Sequence, residues 1–127
     1  VIVVDASAAV SALLNAGPAR QALATERTCV PHLIDSEVAN ALRRGVAASR
    51  IDSGDAWAAL DRWRQLGLSR YAVFPLLGRI WELRENLSAS DASYVALAES
   101  LVCTLLTADA RLGRSPGLRC PVKVVPR

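Results

Sequence analysis

Short apolar, β-branched runs alternate with helix-length stretches along this chain, and that alternation decides its fold class. Val1–Val4 is one such run, ending at Asp5. Thr28–Val30, Tyr71–Phe74, Val102–Thr107 and Val122–Val125 read as four more. Runs this short and this apolar suit strands buried on both faces of a sheet. Helical patterns lie between them: Ser7–Asn15, Pro18 to Glu26, Leu33–Ser49, Ser53–Leu66, Leu77–Asn86, and a segment capped by Ser88 or Ser90 that ends near Leu101. Gly17-Pro18 and Gly67 punctuate them. The pattern predicts an α/β fold, a central parallel sheet of about five strands flanked by helices. At 127 residues the chain reads as one domain, spanning residues 1–127.

Several function classes drop out. Cys29, Cys103 and Cys120 form no C-x-x-C pair, so neither a zinc ribbon nor a disulfide scaffold is expected. Each cysteine reads as a small buried hydrophobe, which fits a reducing, cytoplasmic setting. His32 is the one histidine, which excludes two-histidine acid–base chemistry, and it reads as structural. No apolar run approaches the ~18–20 residues of a membrane span, and no signal peptide is expected. The formal charge of +3 allows a polyanionic partner without demanding one. Lys123 is the sole lysine among 15 cations, and the arginine guanidinium is the better fork for phosphate.

In an open parallel sheet, ligands bind beyond the carboxyl ends of the strands. Asp5 follows the first strand and Asp109 the fourth. Glu37 lies early in the helix after the second strand, and Asp91 in the first turn of the helix before the fourth. Taken singly, Asp5 and Asp109 read as helix caps, Ser88 to Asp91 as a capping box, and Glu37 as a solvated residue. Taken together, four acids at one sheet edge repel one another unless a divalent cation neutralises them. Only Arg111 is placed near them in sequence. Ligation by oxygen alone suits Mg²⁺, with Mn²⁺ as a substitute. Such a cation activates water, and the natural electrophile is a phosphodiester.

The segments carrying these acids are Ile2-Val3-Val4-Asp5-Ala6-Ser7, Glu37-Val38-Ala39-Asn40-Ala41-Leu42, Asp91-Ala92-Ser93-Tyr94-Val95-Ala96-Leu97-Ala98 and Leu106-Thr107-Ala108-Asp109-Ala110-Arg111-Leu112. They resemble the four acidic motifs of PIN domains, in order and almost end to end. The chain is similar in particular to VapC-type toxins of bacterial toxin–antitoxin pairs. The resemblance implies a metal-dependent endoribonuclease in which Asp5, Glu37, Asp91 and Asp109 are catalytic and hold the metal. It also implies a homodimer and a cognate VapB-type antitoxin that occludes the site. The expected reaction is water-mediated hydrolysis of RNA, leaving 5′-phosphate and 3′-hydroxyl ends.

Neighbouring groups extend this reading. Ser7 and Thr107 stand two residues from Asp5 and Asp109, where they can bond metal ligands or a bound water. Asn40 shares the helix face of Glu37. Asp35 lies about 200° from Glu37 around the helix, so both cannot point inward, and the motif selects Glu37. Arg44, Arg111 and Arg114 are candidate RNA-backbone contacts, in a chain with no acid after Asp109. Trp57 and Trp63 are candidate antitoxin anchors. Two rival readings remain: a non-catalytic PIN-like RNA-binding module and a Mg-dependent small-molecule phosphatase of the haloacid-dehalogenase type. The phosphatase needs a second Asp where this chain has Ser7.

Overall fold

The computed structural model describes all 127 residues. Five strands, β1 (Ile2–Val4), β2 (Thr28–Pro31), β3 (Ser69–Tyr71), β4 (Thr104–Thr107) and β5 (Val122–Val124), form one sheet in the order β3-β2-β1-β4-β5. Every pairing is parallel. Val3, Val4, Val30 and Leu105 are fully buried, as the unbroken apolar runs require of central parallel strands.

The helices are α1 (Ala6–Leu14), α2 (Pro18–Thr25), α3 (Ile34–Ala47), α4 (Ser53–Arg64), α5 (Leu77–Glu82), α6 (Ala89–Leu101) and α7 (Ala110–Gly113). α1 packs against α2, α3 and α4, while α6 lies on β1, β2 and β4 with α5 against it. Residues Ala92 to Ala98 of α6 are all buried, which explains a helix with almost no polar face. No helix is long and apolar enough to cross a membrane.

Several expected boundaries move. The third strand is Ser69–Tyr71, not Tyr71–Phe74. Pro75 cannot donate to a ladder, and the chain turns there into a 3₁₀ turn at Phe74–Leu76 that leaves Phe74 82% exposed. Val102 does not open β4: it ends α6 in the left-handed conformation at φ 53°, with Cys103 N–H bonded back to Ala98. α5 stops at Glu82, four residues early, where Leu83 N–H is shared between the Arg79 and Ile80 carbonyls. Trp63 is not an available anchor. It is 2% exposed and donates its indole N–H to Asp35 at 2.8 Å. Trp57, by contrast, is 56% exposed and carries Arg64 over its ring. The ring of His32 is exposed and bonds to nothing; the residue is tied by its backbone N–H to Tyr71.

Candidate active site

β1 lies between β2 and β4, so the chain leaves β1 toward one side of the sheet and returns at β4 on the other. Such a reversal opens a crevice at the carboxyl ends of the two strands. Asp5 follows β1 directly and caps α1: its Oδ1 accepts from Ala8 N–H at 2.9 Å and Ser7 Oγ at 2.6 Å. Its Oδ2 accepts a short bond from the buried Thr107 hydroxyl at the end of β4. Ser7 Oγ in turn accepts from Ala108 N–H at 2.9 Å, and Thr107 Oγ1 from Asp109 N–H at 3.0 Å. The two hydroxyls therefore lock the ends of β1 and β4 around one nearly buried carboxylate.

Glu37 enters from α3, where Ser90 Oγ donates to its Oε2 at 3.0 Å and the Tyr94 hydroxyl makes a short bond to its Oε1. Both donors come from α6, which also carries Asp91. Ser88 caps that helix by accepting from Asp91 N–H, which leaves Ser90 free for Glu37. Asp35 points elsewhere, as the helical angle requires. It holds Arg70 through bonds of 2.8 and 2.9 Å, and that guanidinium keeps its carboxyl below the usual range.

The acids sense one another. Burial pushes the Asp91 carboxyl above its ordinary value, and the negative charges of Asp5, Asp109 and Glu37 push it further. Asp109 goes the other way, because Arg111 bonds to it and holds it low. Asp5, Glu37 and Asp91 have no cationic partner within ion-pair distance. No three His, Cys, Asp or Glu side chains form a ready-made metal cage. The donor set is nonetheless oxygen-only, crowded with negative charge and short of cations, which fits a hard divalent ion.

Of the other sequence candidates, Ser7 and Thr107 join the site directly. Asn40 is exposed and spends its Oδ1 on Arg43 at 2.9 Å. Arg44 and Arg114 are exposed and make no side-chain bond, while Arg111 reaches the site through Asp109. Three further side chains at this edge carry no sequence signal. Ser90 looks like a cap and Tyr94 like one more apolar residue of α6; only the packing of α6 against α3 reveals them. Arg127 returns beside the site after β5, its Nε 3.4 Å from the Ala108 carbonyl, and its charge also acts on Asp109. A cavity of about 620 Å³ lies away from the acids, lined by Leu13, Arg20, Leu23, Arg62 and Leu66.

The family model for the PIN domain matches residues 2–118. The chain is 58% identical over 126 residues to the VapC ribonuclease Mb0985 of Mycobacterium bovis, covering 99% of both proteins. Among solved structures it resembles PAE2754 from Pyrobaculum aerophilum, with a TM-score of 0.74 and 24% identity over 97% of this chain and 83% of that one. It also resembles VapBC2 from Rickettsia felis bound to a DNA fragment from their promoter, with a TM-score of 0.66 and 12% identity over 98% of each chain. A five-stranded parallel sheet, the PIN-domain match over residues 2–118 and 58% identity to a VapC ribonuclease along its whole length place this chain in the PIN-domain family, among the VapC ribonucleases.

Proposed function

We propose that this protein is a metal-dependent endoribonuclease, the toxin of a toxin–antitoxin pair, hydrolysing RNA to 5′-phosphate and 3′-hydroxyl ends. The observation that carries the reading is the group of unpaired acids at the sheet edge, with Asp5 and Glu37 each aimed by two hydroxyls. Full-length similarity to a protein named a ribonuclease supports the activity. Bound among Asp5, Glu37, Asp91 and Asp109, Mg²⁺ or Mn²⁺ supplies charge neutralisation and activation of water. Ser7, Thr107 and the Ala8 amide hold Asp5 in one orientation. Arg111 spends its Nε and Nη2 on Asp109 and keeps Nη1 exposed for an RNA phosphate, and Arg44, Arg114 and Arg127 add positive charge for the backbone.

Metal-linked melting tests the site. Mn²⁺ at a hundred times its Kd stabilises the wild type by about 2.7 kcal/mol. Asp91→Asn loses most of that response and, without metal, melts higher than the wild type. The sign follows from the raised Asp91 carboxyl: the fold favours the protonated form, so its ionised form costs stability as pH rises through that value. Asn removes the cost. An undiminished response in Asp5, Glu37, Asp91 and Asp109 variants alike places the cation elsewhere and favours a non-catalytic binding module.

The partners in this reading are RNA, a VapB-type antitoxin and a second copy of the chain. Trp57 on α4 remains a candidate antitoxin anchor. For the second copy, Phe74, Leu77 and Trp81 stand exposed at spacings of three and four along a helical stretch. Glu82 and Glu85 flank Arg84, which packs over Trp81. Mixed charge suits a self-complementary contact better than a polyanion. Trp81→Glu is expected to shift a dimer to monomer in light scattering; an unchanged dimer assigns the contact to another face.

A further inference from the structure

We propose that Tyr94 is a positioning residue of the metal site, aiming Glu37 from within the core with Ser90 as its partner. This assignment rests on the metal-site reading above. α6 brings Asp91 to the site, and the hydroxyls one residue before it and three after it both close on Glu37. Each holds a different carboxylate oxygen, so the group cannot turn about its axis. A carboxylate oxygen accepts about two hydrogen bonds, so each keeps capacity for a cation.

The ring of Tyr94 is 1% exposed, inside the block of α6 residues buried against the sheet. Its hydroxyl is thus fixed by core packing rather than by solvent. A buried phenol needs an acceptor, and Glu37 is the one it has. The direction of Glu37 is therefore set by the position of α6, the helix that also positions Asp91. Two ligands from distant segments are held in one relation by one rigid element.

The opposite assignment makes Glu37 the acceptor that satisfies Tyr94, a core hydrogen bond with no bearing on metal. Mn²⁺ titration by calorimetry separates the two roles. Tyr94→Phe keeps the ring and removes the hydroxyl. As a positioning residue, it raises the Mn²⁺ Kd by about tenfold, the scale typical of lost outer-shell bonds. In a Glu37→Gln background the same change adds nothing, because its effect runs through Glu37. A purely structural bond instead lowers the melting temperature and leaves the Mn²⁺ Kd unchanged, which overturns the assignment. Ser90→Ala, at the half-buried start of α6, gives the same readout without touching the core should Tyr94→Phe fail to fold. If Glu37→Gln and Asp5→Asn also leave the Mn²⁺ Kd unchanged, the metal-site reading falls and this assignment falls with it.

Discussion

Asp5→Asn removes RNA cleavage while leaving the fold in place. Asn is as good a helix cap as Asp, and its carbonyl still accepts from Ala8 N–H and Ser7. The Thr107 hydroxyl can reverse its role and accept from the new amide. What disappears is one negative charge at the centre of the acidic edge, 6% exposed and without a cationic partner. Losing an outer-shell bond already costs ten- to a hundredfold, so losing this carboxylate is expected to cost roughly a hundredfold or more. Initial rates on a defined RNA, beside circular dichroism of both proteins, check it. A well-folded variant keeping more than a tenth of wild-type activity contradicts a central role for Asp5.

The second large effect concerns stability. Trp63→Ala empties a buried site between α4 and α3 and strips Asp35 of its indole donor. Removing a buried Trp costs about 3–5 kcal/mol, and for a chain of this size that lowers Tm by roughly 10 °C or more. Urea unfolding measures it directly, and a loss below about 1 kcal/mol contradicts the packing described for Trp63. The pH dependence sharpens the test. Arg70 chiefly, with Trp63, holds the Asp35 carboxyl below its unfolded value. Its contribution is therefore present above that unfolded value and is lost as pH falls through the folded one. Without the indole, part of that acid-sensitive contribution is already gone at neutral pH.

Trp63 also shows where sequence reasoning reaches its limit. A stripe of Trp57, Leu60, Trp63 and Leu66 looks like one face, yet its first member is exposed and its third buried. Periodicity cannot say which neighbour covers a face. The central strands were legible because burial on both sides leaves unbroken apolar runs. The edge strand β3 was not, because Ser69, Arg70 and Tyr71 pair through backbone and carry no apolar signature. The apolar signature lies just past it, at half-buried Val73 and exposed Phe74, which form no strand. The nearness of the four acids was legible because topology places strand ends and helix starts at one edge. The hydroxyls of Ser90 and Tyr94 were not, because their partner Glu37 lies more than fifty residues away. Arg127 carries no sequence signal for the site, since only the return of β5 beside β4 brings it there.

The most direct test is cleavage of total cellular RNA by the purified, antitoxin-free protein with Mg²⁺, Mn²⁺ or EDTA, with the end groups of the products mapped. Discrete cuts that need the cation, vanish in EDTA and carry 5′-phosphate and 3′-hydroxyl ends are the predicted result. Cutting that persists in EDTA, or products ending in 2′,3′-cyclic phosphate, contradicts it, because a cyclic end requires attack by the RNA's own 2′-hydroxyl in place of water.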